Sequence, residues 1–164
     1  MAQPNSELLR KALRQFSTGV VIVTTVNDQG EPIGLTANSF NSVSLTPPLV
    51  LWSLNKKSKS LNAFQAAKHF AISVLSSEQM NLAARFAAPI ENRFESVEFN
   101  HSSSGMPLCD NCASWFECTS SSQYEGGDHI IFVGQVISCG CSDRLPLLYA
   151  RGAYGVPAPH PEVA

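Results

Sequence analysis

The 164-residue sequence predicts a single, mainly β domain: an antiparallel barrel with short helices attached. Six or seven strand-like runs stand against only three short helical runs, and successive strands are often joined by tight turns. The sequence contains neither a G-x-G-x-x-G run nor a P-loop lysine motif, which argues against a doubly wound α/β fold. We therefore expect any nucleotide to bind without a Rossmann crossover.

The first half of the chain begins with a predicted helix and continues as strands. Apolar residues recur at helical spacing from Leu8 to Phe16, and Asn5 or Ser6 can cap the start of this helix. The run 20–26 is rich in β-branched residues and predicts a strand buried on both faces. The turn signal at 27–30 predicts a hairpin to a second strand at about 31–37. The Pro47-Pro48 pair precedes a third strand at 49–54. At the start of a strand, the N–H that proline lacks is least needed for pairing.

The second half alternates short helices and strands before a long hairpin. The predicted elements are, in order, a helix opening at 58–60, a strand at 70–75, a helix from Ser76 or Ser77 to about Phe86, strands at 115–124 and 129–140, and a last short strand at 147–154. Gly126-Gly127 joins the two long strands. The stretch 89–112 is polar and is expected to be irregular.

Composition and charge exclude two classes of partner. The formal charge of −2 offers no electrostatic footprint for nucleic acid, and no apolar run reaches the roughly 18–20 residues of a membrane span. Residues 1–13 mix charges with apolar residues and so do not resemble a signal peptide. We expect a cytoplasmic protein whose domain occupies 1–164, with a core at about 7–155 and a proline-rich tail at 156–164.

Five cysteines, an odd number, argue against a fully paired disulfide framework. Cys109 and Cys112 have the spacing of half a zinc site or of a redox motif, but Cys139 and Cys141 do not provide a matching second half. His101 or His129 would have to complete such a set. The favoured interpretation is reduced thiols packed as small apolar side chains, with no metal.

Three polar segments are candidates for chemistry. Small polar side chains in 34–42 can bind the polar edge of a planar heterocycle, or they can simply cap their own backbone. Serines and lysines in 53–60 precede a helix and suggest a phosphate site, although a solvated lysine loop is an equal alternative. His129 begins a strand beside a Gly-Gly turn, where it can act as a donor near neutral pH or serve only as a structural turn residue.

Taken together, these segments resemble the flavin reductase-like split-barrel family, whose members supply reduced flavin to two-component monooxygenases. The resemblance spans about 7–155 in the right order. The similar stretches are Phe16–Thr25, Gly34–Phe40, Ser42–Ser44, Pro47–Val50, Arg85-Phe86, Gly127–Gly134, Pro146–Tyr149 and Arg151–Gly155. The resemblance implies an FMN-binding split β-barrel, usually a homodimer, with FMN or FAD near the dimer interface.

The resemblance also implies roles for particular residues. Thr36, Ala37, Asn38 and Ser39 would face the isoalloxazine, and Ser53, Leu54 and Asn55 would lie at its edge. Ser58, Lys59 and Ser60 would hold the flavin phosphate with Arg85 nearby, while Phe86, His129 and Tyr154 would line the nicotinamide side. His129 is the implied catalytic residue, expected to position or polarise the nicotinamide.

The implied activity is hydride transfer from NADH or NADPH to flavin N5, followed by release of reduced flavin to a partner monooxygenase. Three alternatives stay open: an FMN-binding electron carrier or sensor without turnover, a relative of the pyridoxamine phosphate oxidases, and a plain structural domain. The segments that resemble the family match its Asn-Ser-Phe and Gly-Asp-His stretches, not the arginine-rich phosphate pattern of the oxidases.

Overall fold

A computed structural model describes residues 5–160 and residue 162. Its helices are α1 (Ser6–Leu13), α2 (Leu61–Ala66) and α3 (Met80–Ala87), with a 3₁₀ turn at Ser77–Gln79. Its strands are β1 (Thr18–Gly19), β2 (Val21–Val26), β3 (Pro32–Ala37), β4 (Asn41–Leu45), β5 (Pro48–Asn55), β6 (His69–Val74), β7 (Phe99–His101), β8 (Pro107–Cys109), β9 (Ser114–Gly126), β10 (His129–Cys141), β11 (Leu148–Ala150) and β12 (Ala153–Gly155). The ends of the predicted 1–164 domain, at 1–4, 161 and 163–164, lie outside the described residues.

The main sheet has seven antiparallel strands in the order β3-β2-β6-β9-β10-β5-β4. The predicted mainly β, antiparallel fold class is confirmed. The hydrogen-bonded ladder does not close, because β3 and β4 are its two edges. A three-stranded sheet, β1-β11-β12, and a two-stranded ribbon, β7-β8, complete the structure.

Two apolar clusters stabilise the main sheet from opposite sides. The first fills its concave interior, where Trp52 stacks on Phe132 with ring centroids 4.7 Å apart and Phe64 of α2 packs edge-on against Trp52. The second lies between the sheet and α3 and contains Ile22, Leu75 and Phe86. Because β2 contributes side chains to both clusters, five of its six residues are buried, as the β-branched run predicts.

Several predicted elements are confirmed, with shifted ends. Asn5 caps α1 by accepting a hydrogen bond from the N–H of Glu7 at 2.8 Å, and Ser76 forms a capping box with Gln79. The hairpin turn before β3 is present, with Gly30 at a φ of +80°. The long β9–β10 hairpin turns at Gly127, whose φ is +71°.

Three expectations about the chain were wrong. β4 was not predicted, and the last strand is a hairpin of β11 and β12 that turns at Arg151-Gly152. The stretch 89–112 is not irregular throughout, because β7 and β8 pair within it. Met106 and Leu108 in this stretch are buried against Ala71, which supplies the apolar contact that orders it.

The loop between β7 and β8 is held by a buried carboxylate. Glu117 of β9 is 1% exposed and accepts hydrogen bonds from the hydroxyls of Ser103 and Ser104 and from the N–H of Ser104. Burial opposes ionisation of Glu117, but hydrogen bonds from the serine loop outweigh it and lower its pKa to about 2. Glu117 therefore links the 102–104 loop to the main sheet as a carboxylate.

All five cysteines are free thiols. Cys109, Cys112 and Cys118 are buried, as the packing interpretation predicts, whereas Cys139 and Cys141 are exposed on β10. Burial raises the pKa of the Cys109 thiol to about 12 and raises that of Cys112 as well. Among the described residues, no three His, Cys, Asp or Glu side chains converge as metal ligands do.

No helix within the described part of the chain combines the length and the hydropathy needed to cross a bilayer.

Candidate functional site

The opening between the two edges of the main sheet brings together two segments that the sequence singled out. The link from β3 to β4 passes β5, where Ser39 Oγ accepts a hydrogen bond from the N–H of Ser53 at 2.9 Å. The same hydroxyl lies 3.1 Å from the carbonyl oxygen of Ser53, to which it donates. Ser39 thus connects the end of the β3 segment to β5 across a gap that no strand ladder closes.

The side chains of 36–38 point in different directions from this opening. Thr36 Oγ1 donates to the carbonyl of Ala83 in α3 at 2.7 Å, while Ala37 packs on the interior cluster. Asn38 is exposed. No hydrogen bond among the described residues engages the backbone N–H of Asn38 or Ser39. The main chain here, more than the Thr36 side chain, is available to the edge of a planar ligand.

The outward face of β5 and β10 continues the site toward His129. Ser53 lies opposite Ile131 in the ladder, and Asn55 lies opposite His129, so all four residues share one face of the sheet. Leu54 faces the other way and is 5% exposed within the interior cluster. The predicted contact of Leu54 with a ligand can therefore involve only its backbone.

The predicted phosphate segment lines a cavity of about 490 Å³. Ser58, Lys59 and Ser60 line it together with Gly34 and Arg93. The Ser60 hydroxyl precedes α2 without making a capping hydrogen bond, and Lys59 forms no ion pair within the described residues. Glu91 is the one carboxylate in the lining, so the cavity carries a surplus of cationic and hydroxyl donors.

The sequence analysis expected Arg85 near the flavin phosphate and Phe86 on the nicotinamide side, and neither residue is among those that line this cavity. The Arg85 guanidinium donates to the carbonyls of Arg93 at 2.7 Å and Asn92 at 3.0 Å, which fixes the loop after α3. Phe86 is 1% exposed and packs against Gly34, so it is not available to a nicotinamide.

A second Arg-Phe pair, Arg93-Phe94, lies eight residues downstream of the first. Arg93 and Phe94 both line the phosphate cavity. Arg93 donates to the carbonyl of Gly34 at 2.8 Å and to that of Ala88 at 2.9 Å, so it caps the free edge of β3. The repeated Arg-Phe dipeptide was the signal that could have singled out Arg93 as a second candidate for the phosphate.

His129 is half-exposed at the tip of the β9–β10 hairpin. Its Nδ1 lies 2.7 Å from Asp128 Oδ1, and the hydrogen bond from His129 lowers the pKa of Asp128. Lys56 braces the same tip by donating its N–H to the Asp128 carbonyl and by pairing with Glu125. The imidazole is thereby oriented through Nδ1, and Nε2 is left without a partner among the described residues.

Tyr154 belongs to the cluster on the α3 side of the main sheet. Its ring packs edge-on against Tyr149, with centroids 5.5 Å apart, in the cluster between the sheet and α3. No recorded contact within the described residues joins Tyr154 to the His129 tip.

The residues at the opening suit a flavin. The unpaired N–H groups of Asn38 and Ser39 match the polar edge of an isoalloxazine, and the Ser58, Lys59, Ser60 and Arg93 donors match a phosphate. The two sets border the same free edge of β3, at opposite ends of the strand. The arrangement provides no set of protein nucleophiles, so its chemistry is that of binding and orienting a planar, phosphate-bearing group.

Comparison with known proteins agrees with this description. The flavin reductase like domain model matches residues 13–157. The chain is 41% identical to the stachydrine N-demethylase reductase subunit Stc3 of Rhizobium meliloti (strain 1021) over 92% of its own length, and 44% identical to the FMN reductase (NADH) SmoA of Agrobacterium fabrum over 92%. It spans 65% of Stc3, 86% of SmoA and about half of two other curated relatives.

A solved structure shows the same fold. The NADH:FAD oxidoreductase SgcE6 of Streptomyces globisporus, in complex with NAD and FAD fragments, superposes with a TM-score of 0.90 at 36% identity. The match covers 98% of each chain.

Proposed function

The chain belongs to the flavin reductase-like domain family, and from that premise we propose that it reduces FMN or FAD with NADH or NADPH. We further propose that it passes the reduced flavin to a partner monooxygenase. Relatives from Acinetobacter baylyi and Mycobacterium tuberculosis are named as reductase components of flavin-dependent monooxygenases. Stc3 is named the reductase subunit of an N-demethylase, and SmoA is named an NADH-dependent FMN reductase. The domain family and the site geometry support the same activity.

One observation carries the proposal most directly. Free backbone N–H groups lie at one end of the unpaired edge of β3, and a cavity lined by cationic and hydroxyl side chains lies at the other end. Asn38 and Ser39 offer unpaired N–H groups near Ser53. Ser58, Lys59, Ser60 and Arg93 line the cavity near Gly34. A strand rises about 3.3 Å per residue, so the two ends are separated by roughly the length of a flavin mononucleotide.

In this proposal the protein contributes binding, orientation and fixed dipoles. Bound flavin supplies the hydride acceptor, which is the chemistry of the cofactor and not of a side chain. The backbone N–H groups of Asn38 and Ser39 stabilise negative charge at the polar edge of the ring, as preorganised dipoles do in oxyanion holes. Ser58, Lys59, Ser60 and Arg93 hold the phosphate, and Ser39 keeps β3 and β5 in register.

His129 positions the nicotinamide beside the ring. His129 shares one face of the sheet with Asn55, and Asp128 fixes its ring through Nδ1, so Nε2 is left without a partner among the described residues. Holding two planar reactants in contact converts a bimolecular encounter into a near-attack geometry. The role proposed for His129 is donation from Nε2 to the nicotinamide.

We also propose a homodimer, because the monomer leaves apolar side chains uncovered. All of α1 is exposed, including Leu9 and Leu13, as is Phe16 just after it, and Leu45 on edge strand β4 is 92% exposed. A twofold dimer that buries Leu9 of α1 and Leu45 of β4 would cover these exposed side chains.

The cytoplasm is the compartment we propose for this reaction. The five free thiols are in keeping with a reducing environment.

Steady-state assays test the proposed activity. Purified protein is given NADH or NADPH with increasing free FMN or FAD, and coenzyme oxidation is followed by absorbance. Continuous oxidation that scales with added flavin is the expected result. A single stoichiometric bleaching of bound flavin, with no further turnover, would instead identify an electron carrier and overturn the reductase proposal.

A further inference from the structure

The arginines of this chain fall into two groups. In the first group the guanidinium binds the protein itself: Arg85 and Arg93 donate to backbone carbonyls. Arg144 forms an ion pair with Glu78. Arg10, Arg14 and Arg151 make no side-chain hydrogen bond and no ion pair among the described residues. Guanidinium groups without carboxylate partners are suited to bind an external anion.

The three unpaired arginines line a single cavity of about 240 Å³. Its wall also contains two aromatic rings, Phe16 and Tyr149, together with Asn38 from the predicted flavin segment. No acidic residue is among its lining residues. The cavity therefore combines guanidinium groups, which can bind a phosphate, with aromatic rings, on which a nucleobase can stack.

The local backbone fixes this arrangement. Arg10 lies in α1 and Arg14 follows its last residue with helical backbone angles, so the two side chains lie on one side of the helix, where like charges repel. The N–H of Arg151 donates to the carbonyl of Arg14 at 2.8 Å, which holds the turn between β11 and β12 against the end of α1. Two elements far apart in sequence thus bring like charges together without an internal counterion.

We propose that Arg10, Arg14 and Arg151 bind the diphosphate of an adenine dinucleotide, next to the flavin site assigned above. This inference rests on the proposed function for the identity of the dinucleotide, but not for the anion site itself. Two sources carry that chemistry, the nicotinamide coenzyme and FAD.

The position of the cavity favours the nicotinamide coenzyme. The proposed flavin phosphate site adjoins Gly34, whereas the arginine cavity adjoins Asn38, and four residues of strand separate them by about 13 Å. In FAD the adenosine is attached through the flavin phosphate, so it would leave from the Gly34 end. A coenzyme stacked on the ring can instead reach past Asn38.

The test uses binding and kinetics on the same variants. Arg14→Ala and Arg10→Ala remove one guanidinium each from an exposed helix, and Lys11→Ala removes a neighbouring charge on α1 that does not line the cavity. Calorimetric titration with ADP and with ADP-ribose should show binding about ten-fold weaker in each arginine variant, and unchanged in Lys11→Ala. The deficit should shrink as ionic strength rises.

NADH kinetics and flavin titrations on the same variants show whether the bound diphosphate belongs to the nicotinamide coenzyme or to FAD. A raised KM for NADH with FMN as acceptor, at unchanged FMN affinity, assigns the cavity to the nicotinamide coenzyme. Weaker binding of FAD but not of FMN, with an unchanged KM for NADH, assigns the same diphosphate site to FAD. Because ADP binding needs no turnover, it reports on the site even if the reductase assay fails.

Two results would overturn the proposal. One is equal ADP and ADP-ribose affinity in wild type, Arg10→Ala and Arg14→Ala at low salt. The other is a change in the mass of the protein in solution with no change in nucleotide binding, which would show that the arginines pair with a second copy of the chain.

Discussion

At the scale of single residues, Lys59 and Lys57 form a matched pair for testing the phosphate site. Both are exposed lysines in the turn before α2, but only Lys59 lines the cavity with Ser58 and Arg93. We expect Lys59→Ala to weaken FMN binding by about ten-fold at low salt, the lower end for a charge-assisted hydrogen bond. The loss should shrink at high salt, because screening already weakens this contact.

Fluorescence titration of FMN measures this difference. Lys57→Ala is the control and should bind FMN as wild type does. Equal dissociation constants for Lys59→Ala and Lys57→Ala at low salt would remove Lys59 from the site.

His129 presents a second test at this scale. If it positions the nicotinamide through Nε2, His129→Ala should raise the KM for NADH more than it lowers kcat, which is the signature of lost uniform binding. Flavin affinity should stay unchanged, since the flavin would contact other residues. NADH kinetics, a flavin titration and a melting curve separate this result from misfolding, and an unchanged KM with unchanged kcat would contradict the role.

The Arg-Phe pairs show how far single residues can be assigned from sequence. The segments 36–39, 53–55 and 58–60 stand out because each lies at a strand end or turn that the sequence pattern marks, and their contacts with a flavin stay predictions. Arg85-Phe86 and Arg93-Phe94 carry the same dipeptide, and periodicity does not tell which Phe is buried. The distinction depends on tertiary packing: Phe86 of α3 is fully buried, whereas Phe94 is partly buried and lines the cavity.

At the scale of elements, β3 depends on the absence of a side chain at Gly34. A Cβ there would lie 2.8 Å from Phe86 Cε1 and 2.8 Å from Phe94 Cζ, which is closer than carbon atoms can approach. We expect Gly34→Ala to lower the free energy of unfolding by about 1–3 kcal/mol, as overpacked cores do, and to weaken FMN binding because Phe94 lines the cavity.

Gly19→Ala is the control for this substitution, because nothing lies within 4 Å of a Cβ at Gly19. Chemical denaturation and an FMN titration on both variants provide the comparison. A Gly34→Ala protein as stable as Gly19→Ala would show that the two rings move aside at no cost.

The link between β9 and the 102–104 loop should be sensitive to acid. The pKa of Glu117 is lowered from 4.5 to about 2, so the carboxylate stabilises the fold above pH 4.5 and loses this contribution as the pH falls toward 2. Such a shift corresponds to about 3 kcal/mol for a buried group. Glu117→Gln should be less stable at pH 7 and should show a flatter stability profile between pH 5 and 2.

Urea denaturation at a series of pH values measures both profiles. Glu98→Gln, at a carboxyl group outside the serine loop, is the control and should keep the wild-type slope. If Glu117→Gln and wild type lose stability in parallel below pH 4.5, the serine loop does not hold an ionised carboxylate.

Elements that the sequence did not predict are those whose order comes from distant partners. β4 carries alternating serines and exposed apolar residues and becomes a strand by pairing with β5. β7 and β8 lie in a polar stretch, and they are ordered by Met106 and Leu108 packing on β6 and by the serine contacts to Glu117. The long hairpin and the buried β2 were predictable because their periodicity and turn residues are local.

At the scale of the whole molecule, the uncovered surfaces of α1 and β4 predict a homodimer. Light scattering at micromolar concentration should give about twice the monomer mass of 17.7 kDa. Leu9→Glu and Leu45→Glu place a charge on surfaces that are solvent-exposed in the monomer, so neither should unfold it. In a dimer each substitution would bury an unpaired carboxylate, which is costly enough to shift the protein toward the monomer mass.

Leu145→Glu is the matched control, since Leu145 is also exposed but lies outside α1 and β4. Far-ultraviolet circular dichroism should show the same fold for all three variants. Light scattering should show a shift from the dimer toward the monomer mass only for Leu9→Glu and Leu45→Glu. An FMN titration of these two variants then shows whether the second copy completes the proposed flavin site. Because Asn38 and residues of α1 line one cavity, we expect the monomeric variants to bind FMN more weakly than the wild-type dimer. A wild-type mass of 17.7 kDa, or unchanged masses for both α1 and β4 variants, would contradict the dimer and leave the exposed leucines as surface residues of a monomer.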